Sequence, residues 1–218
     1  MIKGILFDLD GTLLNTLNDL KSAVNFALSQ YNLPEIDVNQ TRNYIGNGIR
    51  KLMERAINND SINIDESLNY FKSYYEKHID DTTIPYDGII NMLDILTNQG
   101  YKVAIVTNKY QNGATKLSKK FFFEYTNVYI GNQEGIKTKP DVEMVNLALN
   151  QLNLKAEECI FVGDSNVDAL TAKNAKMPFV YVSWGYKNID EMKEYDIDYV
   201  INKPMELINI LKEINKND

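Results

Sequence analysis

The chain has 218 residues, of which 44% are hydrophobic and 24% charged. This is enough apolar content for a substantial core in one domain, or in one domain that carries an insertion. Its 30 acidic and 23 basic side chains give a formal net charge of -7, so neither nucleic acid nor an anionic membrane is expected as a main partner. The sequence shows no signal-peptide pattern and no apolar run that approaches membrane-spanning length, so we expect a cytoplasmic protein.

Apolar runs of strand length recur along the chain, and stretches with helical spacing separate them. The runs cover residues 2–9, 103–106, 128–130, 160–162, 179–182 and 199–201. The helical stretches lie near residues 88–99, 111–121, 141–152 and 167–175, and a last helix follows Pro204. Continuous apolar runs are typical of parallel strands that are buried on both faces. We therefore predict an α/β fold in which a doubly wound parallel sheet forms a Rossmann-like core.

Residues 16–80 interrupt this rhythm because they contain no convincing strand pattern. Apolar residues at helical spacing predict three helices there: one from Leu17, a second across 45–57 and a third around Leu68. We predict that this interval is a helical cap subdomain inserted into an α/β catalytic core formed by residues 1–15 and 81–218. An insertion that leaves the core beside the end of the first strand can act as a lid over a site.

Polar side chains follow several of the predicted strands. They are Asp8 and Asp10 after the first strand, Thr107, Asn108 and Lys109 after the second, Lys137 and Lys139 in a later loop, and Asp164 and Asp168 after the strand at 160–162. Ligands of an open parallel sheet bind beyond the carboxyl ends of its strands. We therefore expect acids, a hydroxyl and a lysine to converge at this edge.

Such a set of groups suits phosphoryl transfer, in which positioning and charge neutralisation dominate. Asp8 can attack phosphorus and form an acyl phosphate that water later cleaves. Asp10 can act as general acid and base, because one of two adjacent carboxyl groups can hold the proton that the leaving alcohol needs. Several acids around a phosphate call for a divalent cation, and an all-oxygen site favours Mg2+, with Asp164 as a further ligand.

Two neighbouring segments supply candidates for phosphate binding. Gly11 gives the backbone room to turn and to present amides, and Thr12 adds a hydroxyl group. The side chain of Thr107 can donate a hydrogen bond to a phosphoryl oxygen, with Asn108 beside it. We therefore expect Gly11, Thr12, Thr107 and Asn108 to bind substrate.

Two lysines compete for the role of the active-site cation. Lys139 precedes Pro140, which we predict to open a helix, and Lys137 lies two residues earlier. Either ammonium could offset the charge on the nucleophile and the phosphate. Asp168 falls in the first turn of a predicted helix, where an acid is favoured by the helix dipole, and we also expect it to support the site.

The order of these motifs resembles that of the haloacid dehalogenase-like hydrolase superfamily. Its first motif is similar to residues 8–12, its second to 106–108, its third to Lys139 and Pro140, and its fourth to 163–165 with Asp168. The resemblance implies that Asp8 is the nucleophile and a metal ligand, and that Asp10 is the general acid/base and binds Mg2+ through its carbonyl. It further implies that Thr107 and Lys139 hold the phosphate, and that Asp164 completes the metal site with support from Asp168.

The insertion is similar to the helical cap of the phosphoglycolate phosphatase-like branch, and residues 44–50 resemble its cap loop. This similarity implies that Asn47, Gly48 and Arg50 contact the substrate. We expect a monomeric or homodimeric phosphatase that acts on a small phosphorylated metabolite, with phosphoglycolate the first substrate to test. A pyrophosphatase or nucleotide phosphatase with the same machinery is the alternative. A catalytically silent protein that binds a phosphorylated ligand or a partner protein is a further alternative.

Overall fold

The computed structural model describes residues 1–45 and 48–216. The chain forms two compact units, one made of Met1–Leu14 and Pro85–Asp218, and the other of Asn15–Ile84. Among the described residues, no helix combines the length and the apolar character that a membrane span requires.

The strands and helices alternate through most of the first unit. In chain order the strands are β1 (Gly4–Phe7), β2 (Leu14–Asn15), β3 (Ile84–Pro85), β4 (Lys102–Tyr110), β5 (Tyr129–Asn132), β6 (Cys159–Gly163), β7 (Phe179–Val182) and β8 (Tyr199–Ile201). The α-helices are α1 (Leu17–Ser29), α2 (Val38–Tyr44), α3 (Gly48–Ile57), α4 (Ile64–His78), α5 (Ile89–Asn98), α6 (Gln111–Phe122), α7 (Glu143–Leu152), α8 (Asn166–Ala175) and α9 (Glu206–Lys216).

A six-stranded sheet with the order β5-β4-β1-β6-β7-β8 forms the centre of the first unit. Its neighbouring strands are all parallel, which confirms the predicted α/β fold. Strand β1 is central, and Phe7 is in register with Ile105 on one side and Val162 on the other. The carboxyl ends of β1, β4 and β6 are therefore adjacent. This is the position where a doubly wound sheet reverses its strand order and binds ligands.

The central strands are buried because helices cover both faces of the sheet. Every residue of β1 and of β6 is buried. Leu6 and Phe161 belong to a core cluster that includes Met144 and Val145 of α7, while side chains alternate between the two faces of a strand. A strand buried on both faces can afford few polar residues, so the polar groups of this chain begin where the strands end.

The second unit contains four helices in its described residues, α1 to α4, whereas the sequence pattern predicted three. The unpredicted helix is α2, a largely polar segment of seven residues. It begins with a capping box in which the side chain of Asp37 accepts a hydrogen bond from the N–H of Gln40, and the side chain of Gln40 accepts one from the N–H of Asp37. Because this helix depends on its cap and carries few apolar residues, hydrophobic spacing could not reveal it.

One predicted helix start is wrong. Pro140 does not open a helix, because α7 begins at Glu143 and the Lys139–Pro140 peptide bond, which is cis, lies in the preceding loop. The side chain of Asp141 accepts a hydrogen bond from the N–H of Glu143 at the start of the helix. Lys139 is thus held in a loop at the edge of the sheet rather than on a helix.

Candidate functional site

Three buried carboxylates form the centre of the candidate site. Asp8 follows β1, while Asp164 and Asp168 follow β6, and one oxygen from each lies within 4.8 Å of the others. The residues are 7%, 2% and 1% exposed, respectively. Grouping three acids in the interior is costly unless cations or hydrogen-bond donors compensate them.

Lys139 supplies one such cation. Its Nζ atom lies 2.7 Å from Oδ1 of Asp8 and 2.6 Å from Oδ1 of Asp168, and 5.4 Å from the centre of the Phe161 ring. Burial alone would lower the pKa of Lys139, but the carboxylates of Asp168 and Asp8 outweigh this effect and hold the pKa above its ordinary value. The lysine therefore stays charged between the two acids.

Lys137, the competing lysine, lies elsewhere. Its side chain is 71% exposed and forms ion pairs with Glu143 and Asp141 at the start of α7. Lys139, by contrast, is buried against Asp8. Its burial and its contact with Asp8 favour Lys139 for the site. Neither property can be read from the positions of the two lysines in the sequence.

If all three carboxyl groups are ionised, the single positive charge of Lys139 balances only one of their three negative charges. Burial raises the pKa of Asp8 to about 7, although Lys139 opposes this rise and Asp168 adds to it. Burial, together with the charges on Asp168 and Asp8, also raises the pKa of Asp164. A cluster of buried oxygen ligands with excess negative charge has the composition of a site for a hard divalent cation.

Backbone close to Asp164 fixes the orientation of its carboxylate. The N–H of Tyr186 donates to Oδ2 at 2.6 Å, and the hydroxyl of Thr12 donates to Oδ1 at 3.3 Å. A Cβ atom on Gly185 would lie 2.2 Å from the Cβ of Asp164, and one on Gly11, whose φ is +89°, would lie 2.5 Å from its Oδ2. Both glycines are therefore required for this close approach.

Asp168 performs two tasks at once. Its Oδ1 accepts from Lys139, and its Oδ2 accepts from the N–H and the hydroxyl of Ser165 at 3.1 and 2.6 Å. The second set of bonds belongs to the capping box that begins α8. Asp168 thereby connects the start of α8 to the lysine that contacts Asp8.

The cluster of three carboxylates does not include the side chain of Asp10. This side chain is 19% exposed, and its two oxygens are 2.9 and 3.2 Å from Nζ of Lys109. Lys109 follows a predicted strand, and its position in the sequence indicated no role for it. The available signal was a lysine that closely follows the apolar run of residues 103–106.

Two residues that we expect to contact phosphate, Gly11 and Thr12, also make hydrogen bonds within the protein. The N–H of Gly11 donates to the carbonyl of Leu14, and the N–H of Thr12 to the carbonyl of Leu9. Contacts of Gly11 and Thr12 with substrate stay predictions. The hydroxyl of Thr12 points to Asp164, which likewise gives it a structural partner.

Asn108 and Thr107 also make contacts within the site. The side-chain amide of Asn108 donates to the carbonyl of Lys139 and accepts from its N–H, each at 2.9 Å. Asn108 therefore holds the main chain of Lys139, and its contact with substrate stays a prediction. Buried Thr107 accepts from the N–H of Lys109 at 3.2 Å, an arrangement that leaves its hydroxyl proton able to donate.

The candidate cap residues are only partly described. Asn47 lies outside the described residues. Gly48 begins α3 with a φ of +83°, and Arg50 of α3 forms an ion pair with Asp65 of α4 within the same unit. Contacts of Asn47, Gly48 and Arg50 with substrate stay predictions.

Comparison with known proteins gives a consistent result. A family model described as haloacid dehalogenase-like hydrolase matches residues 5–182. A phosphoglycolate phosphatase of Colwellia psychrerythraea is 32% identical over 95% of this chain and 96% of its own. The pyrophosphatase PpaX of Bacillus mycoides is 31% identical over 98% of this chain and 99% of its own. A solved structure from Haemophilus somnus, described as a predicted phosphoglycolate phosphatase, has a TM-score of 0.88 and 27% identity, and the match covers 96% of this chain and 98% of that one.

The contrast between the two lysines can be tested by stability. Replacing Lys139 by Met should lower the free energy of unfolding by about 3 kcal/mol in the presence of a chelator, because Asp8 and Asp168 lose their buried counter-ion. The matched variant Lys137→Met removes an exposed side chain and should cause no measurable change. Urea denaturation followed by circular dichroism measures both. Equal stability of the two variants would contradict the assigned geometry.

Proposed function

The chain belongs to the haloacid dehalogenase-like hydrolase family, and on that premise we propose that it is a Mg2+-dependent phosphatase. It hydrolyses a small phosphomonoester of the cytoplasm through an aspartyl-phosphate intermediate. The observation that carries this proposal is the position of Asp8. This carboxylate directly follows the central strand, contacts buried Lys139, and lies in one cluster with Asp164 and Asp168.

In the first step, a carboxylate oxygen of Asp8 attacks phosphorus as the bond between phosphorus and the leaving oxygen breaks. Asp10 supplies the proton that the leaving alkoxide takes up. In the second step, water attacks the phosphorus of the acyl phosphate while Asp10 accepts a proton from that water. Inorganic phosphate leaves, and Asp8 returns to its carboxylate form.

Lys139 contributes charge and position throughout both steps. One oxygen of Asp8 is held at 2.7 Å from its Nζ, which leaves the other oxygen to act as the nucleophile. The same ammonium can offset negative charge on the phosphoryl group. In this proposal Thr107 donates its hydroxyl proton to a phosphoryl oxygen, and Asn108 keeps the main chain of Lys139 in place.

The residues present are suitable for holding Mg2+. Buried oxygen ligands of excess negative charge match the preference of this ion, and Asp8 and Asp164 would hold it. A ligand from the main-chain carbonyl of Asp10 is part of the proposal. When bound, the ion neutralises charge on the phosphate and on the nucleophile.

Phosphoglycolate is the first candidate substrate, supported by the name of the Colwellia relative. A pyrophosphatase is the second candidate, since the Bacillus mycoides relative carries that name at similar identity. We propose that the helical unit of residues 15–84 acts as a cap that chooses between such substrates, because the chemistry at Asp8 is the same for both. A catalytically silent binder is disfavoured by the joint presence of Asp8, Asp10, Lys139 and Asp164.

A substrate panel tests the reaction and its specificity. Purified protein with Mg2+ should hydrolyse phosphoglycolate with a higher kcat/KM than pyrophosphate, a nucleotide, a sugar phosphate or an aryl phosphate. Asp8→Asn should show no measurable turnover, because the amide is not a nucleophile, whereas Asp196→Asn, in an exposed ion pair, should resemble the wild type. Comparable turnover by Asp8→Asn, or turnover in excess chelator, would contradict the mechanism. A preference for pyrophosphate would support the second candidate.

Metal binding can be tested without turnover. Mg2+ at about 100 times its Kd should stabilise the wild type by about 2–3 kcal/mol and raise its melting temperature. Asp164→Asn should lose most of this increase because it removes a charged ligand, while Asp196→Asn should retain it. Differential scanning calorimetry with and without Mg2+ provides the comparison. An undiminished increase in Asp164→Asn would exclude that residue as a ligand.

A further inference from the structure

We propose that Lys109 is a positioning residue that holds the carboxylate of Asp10 in the orientation needed for protonating the leaving group. The inference rests on the proposed function, since it concerns how Asp10 performs the role of general acid. Lys109 takes no part in the bonds that form or break. Its task is to limit the orientations available to a side chain that lies beyond the end of β1.

The contact between the two side chains is close and two-pronged. Nζ of Lys109 lies 2.9 Å from one oxygen of Asp10 and 3.2 Å from the other. The side chain of Lys109 is 4% exposed, and that of Asp10 is 19% exposed. The ammonium of Lys109 is therefore buried, while the side chain of Asp10 is partly exposed.

The local structure of β4 places Lys109 at this point. β4 pairs with β5 at Val106 with Ile130 and at Tyr110 with Asn132, and the register shifts between these pairs. An irregularity of this kind re-aims side chains and is frequent beside active sites. A Cβ atom on Gly131 would lie 2.8 Å from the carbonyl oxygen of Lys109, so the glycine of β5 leaves room for this backbone path.

The same stretch also positions other parts of the site. The hydroxyl of Thr107 accepts from the N–H of Lys109, and Asn108 holds the main chain of Lys139. Three consecutive residues of β4 thus serve the site. Thr107 is the proposed hydrogen-bond donor to the phosphate, Asn108 holds the main chain of the lysine that contacts the nucleophile, and Lys109 contacts the general acid. An error of about 1 Å in the position of a reacting group can cost about 10²-fold in rate, so the fixed orientation of Asp10 has direct kinetic value.

Dependence on the leaving group separates this role from a structural one. An alkyl phosphate accepted by the wild type needs a general acid, whereas dinitrophenyl phosphate expels a stable phenolate that needs little protonation. The quantity to compare is kcat/KM, which reports the steps up to transfer of the phosphoryl group to Asp8. Asp10→Asn should lower kcat/KM for the alkyl phosphate by about 10²–10⁴-fold and affect dinitrophenyl phosphate far less.

Lys109→Met should reproduce this bias. Its kcat/KM should fall by about 10²-fold for the alkyl phosphate, through a lower kcat, and only slightly for dinitrophenyl phosphate. Lys109→Arg, which can also contact both oxygens, should recover most of the activity. Lys102→Met is the matched control. Lys102 lies at the opposite end of β4 and donates to the carbonyl of Leu152. Its replacement should therefore lower kcat/KM equally for both substrates or not at all.

The outcomes distinguish failure of the inference from failure of the proposed function. An inactive wild type, or an Asp10→Asn variant without leaving-group bias, would overturn the role of Asp10 and with it the inference. The positioning role of Lys109 is wrong if Asp10→Asn shows the bias but Lys109→Met lowers kcat/KM equally for both substrates. It is also wrong if Lys109→Met changes only KM. Should Lys109→Met fail to fold, Lys109→Gln and Lys109→Arg carry the comparison, with Gln expected to show the bias and Arg to suppress it.

Discussion

Lys139 lies buried between Asp8 and Asp168, and the rest of the site depends on this pair of contacts. An ammonium group in the interior is tolerable because two carboxylates compensate it, and the carboxylates are tolerable in part because of the ammonium. The neighbouring elements serve this balance. Asn108 fixes the main chain of Lys139, and Asp168 is itself held by Ser165 at the start of α8. Strands β4 and β6 are thereby coupled to the residue that follows β1.

Lys139 does not compensate all the carboxyl groups of the cluster. Asp164 adds a third carboxylate to the cluster, and the hydrogen bonds from Thr12 and Tyr186 orient it without neutralising it. Burial, with the charge of Asp168, raises the pKa of both Asp8 and Asp164. A divalent cation would relieve this excess charge, which is why the proposed function includes one. The close backbone at Gly11 and Gly185 keeps the carboxylate of Asp164 in a single orientation.

The sequence was sufficient to predict the sheet and to name Asp8, Asp164 and Asp168 as candidates for the site, because buried parallel strands are apolar and polar groups stand out at their ends. It was not sufficient for contacts that depend on backbone paths. The N–H of Gly11 is taken up by a tight turn, and the amide of Asn108 by a distant loop, and neither pairing has a local sequence signal. Lys109 was visible at a strand end, but its contact with Asp10 depends on an irregularity in β4. Lys137 and Lys139 could be separated only by burial.

The central claim is that Asp8 carries the phosphoryl group during turnover. It is tested most directly by quenching the enzyme in acid during hydrolysis of its best substrate and reducing the acyl phosphate with borohydride. Mass spectrometry of the digested protein then identifies the reduced residue. We expect homoserine at position 8, and no such product without substrate. Reduction at Asp10 or Asp164, or the absence of any reduced aspartate during active turnover, would contradict it.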